Sequence, residues 1–166
     1  MVLKKKICML GASAVGKTSL VARFVHSIFS EKYHTTVGVK IDRKTVETGG
    51  AQVNLMLWDI EGDDDYQSLR MSYLRGTSGY ILVADGTRGR TLERVRSLRE
   101  RAAEAVGDVP FVLVLNKADL VDEWDVDEAE CERLRAEGWE LIRTSAKTGM
   151  GVEECFLSLA GKMVAS

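Results

Sequence analysis

The sequence is poor in residues that interrupt or cross-link a chain. It has one proline and three cysteines among 166 residues. The cysteines (Cys8, Cys131 and Cys155) are far apart and form no C-x-x-C pair, which argues against a disulfide framework and against a zinc site. We see no Pro-rich linker, internal repeat or low-complexity tract. We therefore expect a single domain over residues 1–166, with Cys8 and Cys155 as buried apolar side chains in a reducing compartment.

Long hydrophobic runs are also missing. No window approaches the ~18 consecutive apolar residues of a membrane span. The apolar part of the N-terminus, residues 7–10, is too short for the core of a signal peptide. The sequence begins Met-Val and ends KMVAS, so it carries neither a myristoylation glycine nor a prenylatable cysteine. We expect a cytoplasmic protein with no lipid anchor in this chain.

Basic and acidic residues are nearly balanced in number. With 23 basic and 25 acidic residues, the formal net charge is −2, which gives no electrostatic footprint for nucleic acid. The three lysines at 4–6 are too few for a basic patch, and we interpret them as solvated residues that open an edge of a sheet. The 45% hydrophobic and 29% charged content is that of a globular chain. We expect a folded monomer that does not bind nucleic acid.

Strand-like and helix-like segments alternate along the sequence. A short strand is predicted in "KICMLG". The period-two segment "VGVKIDRKTVE", the glycine pair at 49–50 and "QVNLMLWD" together predict an antiparallel hairpin. The continuous apolar runs "GYILVAD" and "FVLVLNK" are typical of strands buried on both faces, and "WELIRTS" predicts a last strand. Helices are predicted over residues 17–27, in the segment after "WDIEG", and over 91–106, about 127–137 and 152–164.

This order predicts an α/β fold. Crossover helices between strands favour an about six-stranded, mainly parallel sheet with one antiparallel edge strand and helices on both faces. Ligands of such sheets bind at the carboxyl ends of the strands, so functional residues are expected there.

The segment "GASAVGKT" follows the first strand and matches G-x-x-x-x-G-K-[ST], the P-loop. Gly11 and Gly16 allow successive backbone N–H groups to point inward at phosphate oxygens. Lys17 supplies a positive charge for the terminal phosphates, and the Thr18 hydroxyl can ligate Mg²⁺. The fold class is therefore that of a P-loop NTPase. The predicted phosphate-binding residues are Ser13, Ala14, Val15, Gly16, Lys17, Thr18 and Ser19.

Two later motifs favour guanine as the base. In "NKAD", residues 116–119, Asp119 can accept from guanine N1–H and from its exocyclic amino group, a donor pair that adenine lacks. The stem of Lys117 can lie along the base. "SAK", residues 145–147, follows the next strand and can offer backbone N–H groups to guanine O6. The predicted base-binding residues are Asn116, Lys117, Asp119, Ser145, Ala146 and Lys147.

The motifs "GASAVGKTS", "TTVGV", "WDIEG", "NKAD" and "SAK" stand in the order and spacing of Ras-superfamily small GTPases. Over essentially its whole length the sequence resembles that superfamily, most closely the Rab-like branch. The resemblance implies a G domain that binds GTP and GDP with Mg²⁺. It also implies that Thr36 senses Mg²⁺ and the γ-phosphate, that Phe29 leans on the guanine edge and that Tyr33 closes over the phosphates. Asp59 would hold Mg²⁺ through a water, and Gly62 would donate its N–H to the γ-phosphate. The implied metal residues are thus Thr18, Thr36 and Asp59.

The acidic stretch after Trp58 departs from the family pattern D-T-A-G-Q-E. Asp59 and Gly62 are kept, but Asp63 stands where the family has the glutamine that orients the attacking water. An ionised Asp63 is shorter and only accepts hydrogen bonds. The charge of Asp63 would also repel the charge that develops on the γ-phosphoryl oxygens. Two like charges ~4 Å apart repel by about 4 kcal/mol at an effective dielectric of 20. Even part of that energy would slow hydrolysis, because about 1.4 kcal/mol is tenfold in rate.

We therefore predict a slow intrinsic hydrolysis of GTP, with Lys17, Gly62 and Asp63 as the catalytic residues. Acceleration would come from a partner or from an arginine in cis, for which Arg70 and Arg75 are candidates. In an alternative interpretation, the acidic residues at 61 and 63–65 form a loop with no catalytic part.

Three functions remain open at this point. The favoured one is a GDP/GTP switch, in which the γ-phosphate orders the loops around residues 30–40 and 60–75. Effector, exchange-factor or activating proteins would bind there, through a surface that includes Val39, Ile41, Tyr66, Leu69 and Tyr73. A GTP-binding interaction module with negligible turnover is the alternative. A P-loop kinase fits less well, because the sequence lacks an arginine-rich lid insertion and "NKAD" and "SAK" would be unexplained.

Overall fold

A computed structural model describes residues 2–30, 38–60 and 71–165. Within these ranges the strands are β1 Val2–Leu10, β2 Val39–Thr48, β3 Ala51–Ile60, β4 Gly79–Asp85, β5 Phe111–Asn116 and β6 Leu141–Arg143. The α-helices are α1 Lys17–His26, α2 Gly89–Glu93, α3 Val95–Val106, α4 Glu128–Ala136 and α5 Val152–Ala165. Short 3-10 turns cover Met71–Leu74 and Val121–Glu123.

The strands form one six-stranded sheet in the order β2-β3-β1-β4-β5-β6. β2 pairs antiparallel with β3, whereas the pairs β3–β1, β1–β4, β4–β5 and β5–β6 are parallel. The predicted mainly parallel sheet with one antiparallel edge strand is therefore confirmed. The hairpin turn is made by Gly49 and Gly50, both with positive φ of 58° and 76°, as a tight two-residue turn between twisted strands requires.

Each face of the sheet carries its own apolar core, because successive side chains of a strand point to opposite faces. In β1, Ile7 and Met9 pack in the core beneath α1 and α5, and Cys8 and Leu10 pack in the core beneath α2, α3 and α4. All seven residues of β4 are buried, as its continuous apolar run predicts. The helices on both faces are thereby confirmed, and the three cysteines are free and buried.

The structure corrects the boundaries of several predicted elements. β1 begins at Val2, ahead of the predicted segment, because it pairs with β3 from Val2 opposite Gln52 onward. The predicted helix over 91–106 is divided into α2 and α3. The last strand is only Leu141–Arg143. The helix predicted after "WDIEG" falls largely in residues 61–70, outside the described residues.

The interpretation of the lysine run as solvated residues at a sheet edge is wrong for Lys6. β1 is an internal strand, between β3 and β4. Lys6 Nζ donates to the Tyr73 carbonyl at 2.6 Å and to the Arg75 carbonyl at 2.8 Å, and it lies 3.5 Å from the centre of the Trp58 ring. Burial lowers the pKa of Lys6 from its ordinary value.

In the described parts of the chain, the helices are too short or too polar to cross a membrane.

Candidate nucleotide-binding site

The predicted motifs that the structure describes gather at the carboxyl ends of the strands. The P-loop follows β1, Asp59 lies near the end of β3, "NKAD" begins at the last residue of β5, and "SAK" follows β6. These strands run parallel, so their carboxyl ends meet on the same side of the sheet. The motifs that are separate in the sequence are therefore neighbours in the fold.

The P-loop depends on two glycines that have no room for a side chain. A Cβ on Gly11 would overlap the Val83 carbonyl oxygen, and one on Gly16 would overlap the Asn116 amide. Gly16 also has a φ of 102°, and Ala14 adopts a left-handed conformation at a φ of 62°. Alternation of this kind forms the concave run of N–H groups that binds anions. Both glycines predicted from the motif are thus required by the packing.

Lys17 opens α1 and is 5% exposed. Its Nζ donates to the carbonyl oxygens of Gly11 and Ala12, each at 3.0 Å. The ammonium is therefore held inside the curve of the P-loop, beside the N-terminus of the helix. A positive charge and a helix N-terminus in the same place favour an anion such as a phosphate.

Thr18 and Asp59 bring two oxygen ligands together next to Lys17. Thr18 Oγ1 donates to Asp59 Oδ2 at 2.5 Å, and Asp59 is 1% exposed. The described residues contain no cluster of three His, Cys, Asp or Glu side chains placed to hold a metal. A hydroxyl and a carboxylate instead fit Mg²⁺, which takes few protein oxygens and completes its shell with water and phosphate.

Asn116 connects the P-loop to the loop that follows β6. Its Nδ2 donates to the Val15 carbonyl at 3.1 Å, and its Oδ1 accepts from Thr144 Oγ1 at 3.0 Å. Asn116 is 2% exposed and Thr144 is fully buried, so both hydrogen bonds are shielded from water. The predicted base-binding Asn116 therefore holds two loops in place by contacts within the protein.

Asp119 is oriented by Ser145. The Ser145 hydroxyl donates to Asp119 Oδ1 at 2.7 Å and accepts from the Thr148 N–H at 3.1 Å. The backbone of this second loop is fixed in turn by Arg23 of α1, whose Nη2 donates to the Thr148 carbonyl at 3.0 Å. "NKAD" and "SAK" thus converge as predicted, through a contact between side chains 26 residues apart.

Lys117 reaches from the end of β5 to the P-loop. Its backbone is left-handed, with a φ of 69°, a conformation that is costly outside glycine and concentrates at functional sites. Its Nζ lies 3.2 Å from the Ala14 carbonyl and 2.8 Å from Asp85 Oδ2. The stem therefore spans the gap between the two motifs.

Asp85 and Arg88 are site residues that the sequence did not reveal. Arg88 Nε lies 3.1 Å from Asp85 Oδ2, and Arg88 Nη2 donates to the Ser13 carbonyl at 2.7 Å. Burial alone would raise the pKa of Asp85, but hydrogen bonds from Lys117 and Thr87 outweigh burial and lower the pKa below its ordinary value. Asp85 could have been found as the polar end of an apolar strand; no local signal marks Arg88.

The other predicted residues have diverse positions. Phe29 is partly buried and packs against the core beneath α1 and α5. Arg75 is exposed, and its carbonyl accepts from Lys6. Of the remaining motif residues, Val15 and Ala146 are buried, Ser13 and Ser19 are partly exposed, and Ala14 and Lys147 are exposed. The predictions for Tyr33, Thr36, Gly62, Asp63, Tyr66, Leu69 and Arg70 lie outside the described residues.

Comparison with known proteins agrees with this arrangement. A model of the Ras family matches residues 6–165. The chain is 32% identical to the Ras-related protein Rab-8B of Homo sapiens over 157 residues, which cover 93% of this chain and 76% of that protein. It is 36% identical to Rab-4 of Dictyostelium discoideum over 154 residues, covering 92% and 75% of the two chains. It is 34% identical to Rab-13 of Bos taurus over 157 residues, covering 93% and 77%.

Proposed function

Because this chain belongs to the Ras family, whose members are GTP-binding switches, we propose that it binds GTP and GDP with Mg²⁺ and hydrolyses GTP at a low intrinsic rate. The observation that carries the proposal is the attachment of the base motif to the P-loop. Asn116 and Lys117 donate to the consecutive P-loop carbonyls of Val15 and Ala14. One ligand with a base and a phosphate chain would occupy both motifs together. Residues 1–166 act as one monomeric G domain in this proposal.

Guanine is selected by Asp119. Its carboxylate accepts from N1–H and from the exocyclic amino group, while Ser145 fixes the orientation of the carboxylate by donating to Oδ1. Against adenine the same carboxylate would face no such donor pair, and an unpaired polar group of this kind costs about 1–3 kcal/mol. Backbone N–H groups at Ala146 and Lys147 bind guanine O6, and Phe29 lies against the edge of the base.

Phosphate binding belongs to the P-loop and Lys17. Backbone N–H groups of residues 13–19 surround the β-phosphate, and the Lys17 ammonium, held 3.0 Å from two loop carbonyls, moves little to reach the β- and γ-phosphates. Thr18, Asp59 and Thr36 would hold Mg²⁺. When bound, Mg²⁺ neutralises charge on the phosphates and orients the γ-phosphate for transfer.

Hydrolysis depends on the residue that orients the attacking water. We assign this position to Asp63, with the Gly62 N–H on the γ-phosphate. A carboxylate cannot donate to the transition state and repels the charge on the phosphoryl oxygens, so the intrinsic rate is low. The same substitution favours a second candidate function, an interaction module that holds GTP with negligible turnover.

Partners bind where the γ-phosphate changes the surface. On the described side of that surface, Ile41 of β2 is 45% exposed and lies opposite Trp58 of β3. Trp58 lies 6.5 Å from Tyr73, measured between ring centres. With the partly exposed Val39, these residues form an apolar face. Effectors, exchange factors and activating proteins would read the nucleotide state through this face.

Calorimetry tests the proposal. Protein freed of nucleotide is titrated with GTP, GDP and ATP in the presence of Mg²⁺, and GTP and GDP are expected to bind at least tenfold more tightly than ATP. Equal binding of ATP and GTP, or binding of neither, contradicts the proposal. Phosphate release from the GTP complex over hours separates the two candidates, because the interaction module releases none.

A further inference from the structure

Three consecutive carbonyls of the P-loop each accept a hydrogen bond from a side chain outside the loop. Arg88 Nη2 donates to Ser13 O at 2.7 Å, Lys117 Nζ to Ala14 O at 3.2 Å and Asn116 Nδ2 to Val15 O at 3.1 Å. Asn116 and Lys117 belong to the base motif that the family resemblance already covers. Arg88 belongs to no predicted motif and lies on the loop between β4 and α2.

Arg88 and Lys117 share one buried carboxylate. Asp85 Oδ2 lies 3.1 Å from Arg88 Nε and 2.8 Å from Lys117 Nζ, and the Asp85 side chain is 1% exposed. One anion at the end of β4 therefore orients the two cations that hold the carbonyls of Ser13 and Ala14. The hydrogen bonds to Asp85 lower its pKa, so the carboxylate is charged at neutral pH and both contacts are charge-assisted.

The direction of the contacts assigns Arg88 a supporting part rather than a reacting one. A P-loop binds phosphate with N–H groups that point inward. The carbonyls of Gly11 and Ala12 accept from Lys17 inside the loop, whereas those of residues 13–15 accept from side chains that lie outside it. Arg88 contacts the Ser13 carbonyl and thus approaches from the outer side of the loop. Its guanidinium stabilises the shape of the loop instead of touching a phosphoryl oxygen.

The loop that carries Arg88 is itself fixed to the base side of the site. The Gly86 N–H donates to the Asn116 carbonyl at 3.0 Å, and the Gly86 carbonyl accepts from the Asp125 N–H at 2.7 Å. The ring of Trp124 covers Gly86 so closely that a Cβ there would overlap it. The Thr91 hydroxyl donates to the Arg88 carbonyl at 2.7 Å. Arg88 is therefore presented by a well-packed loop, and its contact with Ser13 ties the P-loop to the region around residues 116–125.

We infer that Arg88 is a positioning residue for nucleotide retention: with Asp85 and Lys117 it holds the P-loop in its binding shape and links that shape to the base-binding loop. The inference rests on the proposed function. Loss of Arg88 removes this hydrogen bond from the Ser13 carbonyl and loosens the adjacent N–H groups that surround the phosphates. Bound GDP should then dissociate faster.

The rate of GDP dissociation tests this inference. A fluorescent GDP is loaded and chased with excess GDP in the presence of Mg²⁺. Arg88→Ala should release GDP about twofold to tenfold faster than the wild type, which is the effect expected from the loss of a single hydrogen bond. A larger effect is not expected, because the Arg88 side chain is 39% exposed and solvent screens its contacts in part. Arg88→Lys should lie between the two, since an ammonium can still donate to Ser13 O but lacks the planar pair of donors. Arg90→Ala, an exposed neighbour, is the matched control and should release GDP at the wild-type rate.

A double-mutant cycle with Asp85→Asn distinguishes positioning from general stability. The effect of Arg88→Ala on GDP release should shrink in the Asp85→Asn background, because the two residues act through one contact. The thermal unfolding midpoint of GDP-saturated Arg88→Ala should fall below that of Arg90→Ala only by the amount that its weaker binding of GDP accounts for. A wild-type release rate in Arg88→Ala, or release as fast in Arg90→Ala, overturns the inference while leaving the proposed function intact. A wild-type protein that does not bind GDP overturns both.

Discussion

Asp119→Asn should change the base that the protein prefers. Ser145 Oγ donates to Asp119 Oδ1 at 2.7 Å, and the carbonyl oxygen of an asparagine at this position would accept the same hydrogen bond. The amide nitrogen would then replace Oδ2, so a donor would stand where the carboxylate offered an acceptor. Guanine presents donors at N1 and at its amino group, and two donors facing each other repel. Xanthine carries a carbonyl in place of the amino group and would accept from the new amide.

The size of the change follows from the loss of one charge-assisted hydrogen bond. Such a bond is worth about 1.5–3 kcal/mol, so GTP should bind to Asp119→Asn about tenfold to a hundredfold more weakly, at about 1.4 kcal/mol for each factor of ten. Xanthosine triphosphate should bind more tightly to the variant than to the wild type. ATP offers neither pattern and should remain weak for both proteins.

Calorimetry with each nucleotide in the presence of Mg²⁺ measures these changes. Asp122→Asn is the matched control, because Asp122 is exposed in the turn just after the motif and should keep the wild-type preference. Binding of GTP to Asp119→Asn as tight as to the wild type would show that Asp119 does not select guanine. Weaker binding of both GTP and xanthosine triphosphate would likewise refute this role, since it would indicate a distorted pocket rather than a changed hydrogen-bond pattern.

Four further changes test other parts of the molecule. In single-turnover hydrolysis, Asp63→Gln should raise the rate of phosphate release about tenfold or more, equivalent to about 1.4 kcal/mol. Asp63→Ala should leave the rate unchanged; a large loss would contradict the predicted slow reaction, because it would show that the carboxylate accelerates hydrolysis. Asn116→Ala should weaken the binding of GDP and of inosine diphosphate by the same factor, about tenfold, because Asn116 contacts the Val15 carbonyl and Thr144. Calorimetry measures both affinities, and a loss that depends on the base would contradict this prediction. Because the pKa of Asp85 is lowered in the folded protein, its carboxylate should stabilise the fold fully at pH values above its unfolded pKa of 3.8. This stabilisation should be lost as the pH falls through the lower folded pKa. In acid unfolding, Asp85→Asn should lack this pH-dependent loss of stability. Phe156→Ala should lower the free energy of unfolding in urea by about 3–5 kcal/mol, because Phe156 is fully buried and stacks on Phe24 with ring centres 4.2 Å apart. Ile28→Ala is the control: Ile28 is 51% exposed, so the loss should be less than about 0.5 kcal/mol.

The fold could be predicted because its determinants are local patterns. β4 is an uninterrupted apolar run and is buried along its whole length. From Ile41 to Thr48, β2 alternates between more exposed and less exposed residues as a period-two strand does. The turn glycines 49 and 50 separate the two strands of the hairpin at the expected place. Element ends were less predictable, since β1 extends to Val2 only because β3 is there to pair with it.

The division between α2 and α3 accompanies local hydrogen bonds that a helical pattern in the sequence does not reveal. The sequence from 91 onward has helical periodicity, but the Thr91 hydroxyl contacts the Asp85 backbone N–H at 2.8 Å and the Arg88 carbonyl at 2.7 Å. These bonds attach the short first helix to the loop after β4. The second helix then begins after Arg94, whose N–H bonds back to Leu92. The periodicity of apolar residues in a sequence does not reveal hydrogen bonds between a helix and the loop that precedes it.

The same distinction separates the site residues that motifs reveal from those they hide. Gly16, Lys17 and Asp119 are marked by spacing within a few residues, because backbone curvature and base recognition are local requirements. Arg88 meets Ser13 across 75 positions of sequence, and only the folded sheet brings their loops together. Sequence motifs therefore mark the residues that are predicted to contact the ligand, but not residues such as Arg88 that hold the P-loop backbone in place.

The two halves of "NKAD" have different tasks in this geometry. Asn116 and Lys117 direct their side chains to carbonyls of the P-loop, whereas Asp119 is oriented by Ser145 of the opposite loop. Changes at Asp119 should consequently alter which base binds, and changes at Asn116 should alter how tightly any base with its phosphates is held. Because Arg88 reaches the same P-loop from a third direction, the phosphate-binding backbone is restrained by loops from β4 and β5 together. If the chain binds a nucleotide as proposed, loosening of these restraints should shorten the lifetime of the complex, and Arg88 should affect that lifetime without touching the nucleotide.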